Sequence, residues 1–557
     1  MIQYKSIWNI KDVYMRKRRI YEKYVKGNRI LREKELIQSI RENPFHSKVY
    51  FEYAQYLKKK NINQAYLCFE NGMGYCTDSG ELENVKQEIK NCRKSPFFEV
   101  QNCSIIILTF QNIEYTKKCI ESLRENGLQD SYELIIIDNG SVDGTREWLQ
   151  EQNDINVFLS EENLGFPKGC NKGASIAKPG NDYLFLNNDT LVPPNALFWL
   201  RMGLYEDKKI GAAGSVSNYI LKNQTTMPKE IPVKECMNYA KKFPLEDEIL
   251  YENRLFLIGY AILIKGACFN QVEGFDEIYS PGNFEDQDIC LKMIEKGFKN
   301  ILCYNSFIYH YSGKSFQVGS EAYNQVIARN LEIFCNRWTY DFGKIRDDLL
   351  DFIKEEPEKE FVVLDVGCGA GCTLMRLQGL YQNIKLLGFE KEKSLVELVK
   401  GVAPVIWCDV EEIKAYSLEK ESVDYLILGN VLEQLKNPEL FLKRIKPFLK
   451  KNCKIIADIY NIRNTRIMEG LLQGKFEYSH KGILNYANIH IYTLNNMIDL
   501  FYQSGYNIKD ITYDDKSNFY TQTENSHINK ISNFLKEENP ELWSAESFCI
   551  LAELQSD

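Results

Sequence analysis

The chain has 557 residues, more than one hydrophobic core usually organises, and is expected to divide into about three or four domains. With 44% hydrophobic and 26% charged residues, 33 Gly and only 15 Pro, it sits in the ordinary globular range, which excludes disordered, collagenous and low-complexity chains. A formal charge of -8 gives no general attraction to nucleic acid or to an anionic membrane, because either would favour a basic excess.

Residues 1–35 run against that balance: Lys5, Lys11, Arg16, Lys17, Arg18, Arg19, Lys23, Lys26, Arg29, Arg32 and Lys34 outnumber Asp12, Glu22, Glu33 and Glu35. The stretch from Met1 to Arg19 lacks the apolar core of about 7 to 15 residues that marks a signal peptide. The longest near-apolar run, Leu255 to Ile264, is too short for a bilayer, which needs about 20 residues, so no transmembrane segment is expected. Sixteen cysteines include no pair of CxxC units, and many lie in apolar runs such as Cys103-Ser104-Ile105-Ile106-Ile107, where Cys acts as a small buried hydrophobe. A reducing, cytoplasmic compartment follows, with any membrane contact peripheral and at the inner face.

Residues 1–97 are expected to be helical, since their apolar positions recur at three- and four-residue steps without β-branched alternation. Within them Asn43 to Met73, with Tyr53, Ala54, Tyr56, Leu57, Ala65, Cys68, Phe69 and Gly72, resembles one tetratricopeptide unit, a pair of packed helices. A second copy is not evident, so a helical cap on the next domain and a protein-binding repeat both stay open.

From Ser104 strands and helices alternate, as in a parallel sheet covered on both faces. Strands are predicted at Ser104–Thr109, Glu133–Asp138, Ile155–Leu159 and Tyr183–Leu186, with helices at Tyr115–Asn126 and Thr145–Gln152. A less regular middle follows, then a helix from Glu321 to Thr339 closes a domain spanning 98–340. The charged stretch Asp347–Glu360, containing Pro357, marks a linker at 341–357. A second α/β series occupies 358–557, with strands at Phe361–Asp365, Lys385–Glu390, Val405–Asp409, Asp424–Gly429, Lys454–Ile459 and Phe548–Leu554.

Ligands of open α/β sheets collect beyond the carboxyl ends of the strands. In the first domain that edge gathers Thr109 and Asn112, then Asp138 and Asn139, then Lys168 and Asn171 after the third strand, then Asn187, Asn188 and Asp189. Amide and carboxylate groups suit a base and ribose, and Asp189 suits a hard divalent cation, Mg²⁺ or Mn²⁺, held against a diphosphate.

These residues resemble the family 2 glycosyltransferases, whose fold is GT-A and whose donors are nucleotide-diphosphate sugars used with inversion. The resemblance runs over 104–316: Asp-Asn-Gly-Ser at 138–141, Asn-Leu-Gly-Phe at 163–166, Asn187-Asn188-Asp189 at the DXD position, Gly274-Phe275-Asp276-Glu277, Glu285-Asp286-Gln287-Asp288, and His310 with Ser315. It implies that Asp189 and His310 hold the metal or diphosphate, that Asp138 meets the base or ribose, and that Lys168 and Asn171 contact the nucleotide. Asp286, with Glu285 beside it, is implied as the catalytic carboxylate that deprotonates the acceptor. His310 is one of only five histidines, which sharpens its assignment.

In the second series Asp365 precedes Gly367-Cys368-Gly369-Ala370-Gly371, a glycine loop between strand and helix, and Glu390 stands at the next strand end, nineteen residues after Gly371. The spacing is GxGxG with Cys372 following, which favours an adenosyl ligand over a dinucleotide. This region resembles class I S-adenosylmethionine-dependent methyltransferases, with a Rossmann-like fold. The resemblance implies that Asp365, Gly367, Cys368, Gly369 and Gly371 face the methionine part, that Glu390 holds the ribose and Asp409 the adenine side, and that Asn430 opens the segment after the fourth strand.

Related sugar methyltransferases carry histidines where this chain has Gln434, Asn464 and Asn488, and an amide cannot take up a proton near neutral pH. His480 and His490 are the nearby substitutes.

Together the resemblances imply a bifunctional bacterial-type enzyme. It would transfer a sugar to a glycan or glycoprotein acceptor, flagellin among them, and methylate the added sugar in surface polysaccharide or flagellin-type assembly. Two other readings stay open. In one the methyltransferase domain only binds cofactor or serves structurally; in the other the helical N-terminus recruits a protein partner.

Overall fold

Among the described residues, the helical periodicity of the N-terminal region becomes four helices in the computed structural model of the protein: 32–42, Ser47–Leu57, Ile62–Met73 and Ser79–Arg93. The structure describes residues 32–126, 131–218, 233, 235, 250–311, 320–338, 345–412, 418–479, 482–513, 522–535 and 540–555. Most of the basic N-terminal stretch, Ser315, Thr339 and His480 lie outside them. The chain folds as two units, one built from residues up to Glu246 with Leu255–Phe334, the other from Asp247–Arg254 with Cys335–Asp557.

In the first unit the helix pair Ser47–Leu57 and Ile62–Met73 is the hairpin expected from Asn43–Met73, and it is a cap. Asn61 starts the second helix by accepting from the Asn63 and Gln64 amides. What it caps is the helix Ala196–Leu204, whose sequence ALFWLRMGL is apolar nearly all round and must be covered on every side. Gln64 Nε2 donates to Met202 O (2.9 Å), Asn61 Nδ2 to Tyr205 O (2.8 Å), and Arg201 pairs with Glu70 where both are largely buried. Arg41 Nη2 donates to Asn305 Oδ1 at 2.9 Å.

The sheet beneath is built from β1 (Cys103–Thr109), β2 (Tyr132–Asp138), β3 (Ile155–Leu159), β4 (Asp182–Asn187), β6 (Ile210–Val216), β8 (Ala261–Ile264) and β9 (Lys299–Phe307). They lie in the order β3-β2-β1-β4-β8-β6-β9. The strands β1 to β4 are parallel, and β8 enters antiparallel between β4 and β6. Its residues come from the near-apolar run Leu255 to Ile264, which thus forms a central strand. Cys103 is buried in this domain, as expected of Cys in an apolar run, and so are Cys119 and Cys170 in its helices. A two-stranded ribbon, β5 (Thr190–Leu191) with β10 (Tyr309–His310), stands apart from the sheet.

The second unit also takes in β7 (Tyr251–Arg254), whose buried Glu252 pairs with Arg254 and with Arg376. Its sheet follows the order β13-β12-β11-β14-β15-β17-β16, from β11 (Phe361–Val366), β12 (Ile384–Glu390), β13 (Val405–Trp407), β14 (Val423–Gly429), β15 (Leu449–Tyr460), β16 (Tyr506–Thr512) and β17 (Ser547–Leu554). Strands β11 to β15 are parallel, and β17 runs antiparallel to both neighbours. The expected linker is corrected from residue 345 onward: Leu349, Leu350 and Ile353 are buried with Phe361, Val363 and Ile456 in this unit's core. Their charged neighbours masked an amphipathic entry segment.

Replacing Glu70 by Gln should strand the buried Arg201 guanidinium. Loss of one partner of a buried pair costs about 3 kcal/mol or more, so the first unit of E70Q should melt well below wild type, and an unchanged melting temperature would refute the cap as an integral part of the fold.

Candidate active site

The site of the first unit is assembled at the carboxyl edge of β1, β2 and β4. Thr109 ends β1 buried, its hydroxyl 2.7 Å from that of Thr116, and Asn188 Nδ2 donates to both, at 3.4 and 3.0 Å. Asn112, at φ +59°, turns the chain into the helix Ile113–Asn126. Asp138 ends β2 fully buried; it accepts from the Gly140 and Ser141 amides, with Arg146 Nη1 at 3.6 Å. Its carboxylate therefore fixes the Asn139–Ser141 turn, which presents Asn139 next to Gly165 O at 3.4 Å.

The β5–β10 ribbon pairs Thr190 with His310 and so carries His310 onto the DXD segment. His310 Nε2 stands 3.1 Å from Asp189 Oδ1 without the alignment of a hydrogen bond, and 3.4 Å from Asn187 Nδ2. Asp189 Oδ1 and His310 Nδ1 are both buried with no hydrogen-bond partner among the described residues. An orphaned buried carboxylate oxygen is costly, and Asp189 Oδ1, the atom that faces His310 Nε2, suits a cation. About 3 Å is the separation of adjacent ligand atoms on a six-coordinate ion with bonds of about 2.1 Å. Among the described residues no group of three or more His, Cys, Asp or Glu side chains converges as a metal site. The pair would thus supply two ligands and leave the other positions to phosphate oxygens and water, as an open Mg²⁺ or Mn²⁺ site requires.

The acceptor-side motif is tied to the same edge. Gly259 N donates to Asp286 Oδ2 (2.9 Å), and the next residue, Tyr260, accepts from the Asn187 amide through its carbonyl (2.8 Å) while its ring lies 5.2 Å from that of His310. Glu285 is buried, and its Oε2 has no hydrogen-bond partner among the described residues. Burial and the adjacent Asp286 push the Glu285 carboxyl well above the usual range; burial also raises Asp286, opposed by the Gly259 and Gln287 amides. Both carboxyls are thus raised, and Asp286 is the member that accepts from two N–H groups.

Sequence reasoning missed the groups that shape this loop. Asn330 Nδ2 donates to the carbonyls of Tyr279 (2.7 Å), Gly282 (2.8 Å) and Asn283 (3.1 Å), and Arg329 reaches Ser280 O. Gly165 explains the Asn-Leu-Gly-Phe motif: at φ +75° it lies so close to the loop that an added Cβ would meet Pro281 Cα at 2.7 Å. No sequence motif marks Asn330, whose position in an amphipathic helix is unremarkable. Asn171 clamps the acceptor-side loop, its amide bonded to Phe275 N and O at 3.0 and 2.8 Å, and also lines the open cleft beside it. Lys168 is exposed on the same helix, lining an open cleft with Ser160, Lys172 and Glu277.

In the second unit the loop after β11 takes positive φ at Gly367, Gly369 and Gly371, and a Cβ on Gly371 would come within 2.8 Å of Val405. Glu390 accepts from Gly369 N and Glu392 N, both at 2.9 Å, one through each oxygen, and each oxygen keeps a lone pair for a hydroxyl. Cys368 packs toward Gly388, and burial pushes its thiol well up. Asp409 Oδ1 accepts from Glu411 N at 2.9 Å. Asp365 is buried, which raises its carboxyl to about 7 with Glu390 adding and Arg346 opposing.

Arg346, inside the stretch expected as linker, reaches the ends of β14 and β15: Nη1 donates to Asn430 Oδ1 (2.9 Å) and Nη2 to Asp458 Oδ2 (2.6 Å). Glu433, in the Leu-Glu-Gln segment after β14, accepts from Tyr460 N through Oε1 (2.8 Å), while its buried Oε2 has no hydrogen-bond partner among the described residues. Burial lifts this carboxyl to about 7, with Asp458 adding to the rise. Of the candidate substitutes for the absent histidines, His490 Nε2 lies 3.4 Å from Lys436 O.

One unit thus presents a GT-A-like edge where Asp189 meets His310 and a carboxylate pair follows, the other a glycine loop with an acidic strand end. The family model described as "Glycosyl transferase family 2" matches residues 104–272 and that described as "Methyltransferase domain" matches residues 357–520. The chain is therefore a glycosyltransferase domain fused to a methyltransferase domain.

An uncharacterised protein of Sinorhizobium fredii is 26% identical over 262 residues, 43% of this chain and 28% of its own length. One of Methanocaldococcus jannaschii is 22% identical over 292 residues, 48% of this chain and 74% of that protein. The chain thus spans little more than a quarter of the first relative. Among solved structures, GalNAc-T7 with UDP, GalNAc and Mn²⁺ is 17% identical over 43% of this chain and 50% of that one, with a TM-score of 0.34. A SAM-dependent methyltransferase from Aquifex aeolicus is 15% identical over 41% of this chain and 96% of that one, with a TM-score of 0.25.

Glu433 and Asp365 hold their protons more tightly folded than unfolded, so the folded unit carries extra protons between about pH 4.5 and 7, and stability falls as pH rises through that window. Thermal unfolding of Glu433→Gln from pH 5 to 8 should show a shallower decline than wild type; an identical slope would count against the assignment.

Proposed function

We propose that the protein transfers a sugar from a nucleotide-diphosphate donor to a glycan or protein acceptor, with inversion and with Mg²⁺ or Mn²⁺, and methylates the sugar it has added. The observation that carries the reading is the meeting of Asp189 Oδ1 and His310 Nε2 at 3.1 Å on a ribbon that serves no evident purpose in the main sheet. A bound cation there would act as a Lewis acid on the charge that develops on the departing diphosphate.

The chain's own residues do the rest. Asp286, held by Gly259 N, accepts the proton of the acceptor hydroxyl as its oxygen bonds to the anomeric carbon and the bond to the diphosphate breaks. Glu285 lies buried beside it. Asn330 and Asn171 hold the loop that carries it. Thr109, Asn139 and the turn fixed by Asp138 offer polar groups to the nucleotide.

In the methyltransferase domain the glycine loop allows close backbone approach and Glu390 retains acceptor capacity for ribose hydroxyls, which supports S-adenosylmethionine as the ligand. Glu433 fits the task left by the absent histidines, because a carboxyl near 7 can take a proton from a sugar hydroxyl as the methyl group arrives. The engagement of Asn430 and Asp458 by Arg346 favours a second reading, in which this domain binds cofactor without turnover. Surface polysaccharide or flagellin-type glycan assembly in the bacterial cytoplasm, at the inner face of the membrane, is the setting we propose; among the described residues no helix is long and apolar enough to cross a membrane.

Asp189→Ala should lower metal-dependent donor turnover by about 100-fold or more, read by mass spectrometry of nucleotide products from a panel of nucleotide sugars with Mn²⁺. Full activity in that variant would remove the assignment.

A further inference from the structure

The acceptor-side carboxylates follow a backbone that a phenylalanine rarely adopts. Asn283 and Phe284 take φ of +79° and +75°, and Phe284, at ψ −11°, is left-handed immediately before the helix Glu285–Glu295. Asn visits that region readily, but for a bulky side chain it is a steric outlier that persists only where the surroundings over-determine it. On the helix side Asp288 N donates to Phe284 O at 2.9 Å, and the Phe284 side chain supplies no cap.

What holds this turn is one face of the helix Glu321–Arg337. Among its described residues only Asn330 and Phe334 are buried, four positions apart and so on one face. Arg329 bonds Asn330 Oδ1 through Nε (2.9 Å) and Nη2 (2.7 Å), which leaves Asn330 Nδ2 for the loop carbonyls. Phe334 meets the Phe284 ring at 5.5 Å and 38°, and the Phe256 ring at 6.5 Å and 64°. Phe284 stands two residues before Asp286, and Phe256 three before Gly259. The Phe334 ring therefore joins the two segments that meet again where Gly259 N donates to Asp286 Oδ2 at 2.9 Å.

We propose that Phe284 and Phe334 are positioning residues for Asp286: their ring pair compensates the left-handed turn and sets the start of the following helix against Gly259, so that the carboxyl faces the acceptor hydroxyl. The inference rests on reading Asp286 as the acceptor-side carboxylate. Packing alone would not require this arrangement. Glycine or asparagine at 284 would satisfy the backbone without strain, and a ring could be buried from a neighbouring position of ordinary φ. One residue instead meets both demands directly ahead of the carboxylate pair, and backbone strain of this kind clusters at active sites.

The test uses the full chain and compares Phe284→Gly, Phe284→Ala, Phe284→Tyr and Phe334→Leu with wild type. Thermal melting, amide hydrogen exchange and donor turnover across a panel of nucleotide sugars with Mn²⁺ are measured for each. Phe284→Gly should melt above Phe284→Ala, because both lack the ring and only glycine relaxes the backbone; equal melting overturns the strain. Both should lower kcat about 10-fold or more with donor KM unchanged, since a misplacement of about 1 Å suffices for such a loss, and Phe284→Tyr should restore it. A merely structural role predicts a loss that follows melting temperature, with glycine regaining activity over alanine, and that result overturns the proposal. Exchange in the peptide containing Gly259 should quicken in Phe334→Leu and Phe284→Gly at temperatures where both are folded, and unchanged exchange overturns it as well. If wild type turns over no donor, the transferase reading fails, while quickened exchange at Gly259 still supports the hold of the two rings on Asp286.

Discussion

Two consecutive residues, Gly259 and Tyr260, tie together the polar edge of the glycosyltransferase domain. Tyr260 O accepts from Asn187 N and Gly259 N donates to Asp286 Oδ2, so the DXD segment and the acceptor-side carboxylate are positioned by one dipeptide. The sheet topology makes this arrangement available. Because β8 runs antiparallel beside β4, the residues that enter β8 lie at the carboxyl end of β4, where the polar groups of the parallel strands already gather. A bond from an N–H to a carboxylate is stronger than one between neutral groups, and here it orients the Asp286 carboxyl. Gly259 lies close to it, since an added Cβ would meet Asp286 Cβ at 3.3 Å.

The parallel strands and their polar ends were legible in the sequence because Ile- and Leu-rich runs stop abruptly at Thr109, Asp138 and Asn187. The strand β6 was not, since Ile-Gly-Ala-Ala-Gly-Ser-Val has small residues where β-branched ones signal a strand, and it is recognisable only once its burial is seen. The resemblance placed Asp189 and His310 in one site, but spacing alone could not; the two-residue pairing of β5 with β10 does so. Asn171 stood in a motif and Asn330 in none, yet both fasten the same loop, because an amide that binds backbone carbonyls leaves no pattern in the surrounding sequence.

In the methyltransferase domain the glycine loop was plain from its spacing, while Arg346 was hidden in a charged run that looked like a boundary. Its guanidinium is buried beside Asp458 and Asp348, and their hydrogen bonds and charges outweigh the burial that would lower it, so its pKa is raised. A buried charge of this kind is retained only with partners, and the partners are strand-end residues of the candidate cofactor edge. Glu433 shows the reverse case, a carboxyl with one oxygen satisfied and one not, kept near neutrality by its surroundings.

The clamp made by Asn330 also sets an order in time. The carbonyls it gathers belong to Tyr279, Gly282 and Asn283, which are synthesised some fifty residues earlier. A chain growing from the ribosome therefore exposes its DXD segment, its carboxylate pair and its central strands before the side chain that closes the loop has been made. Domains fold as units during synthesis at roughly 5–20 residues per second, so the loop at Tyr279–Asn283 is fastened late, and a nascent chain halted before residue 330 would hold Asp189 and Asp286 without the clamp on that loop.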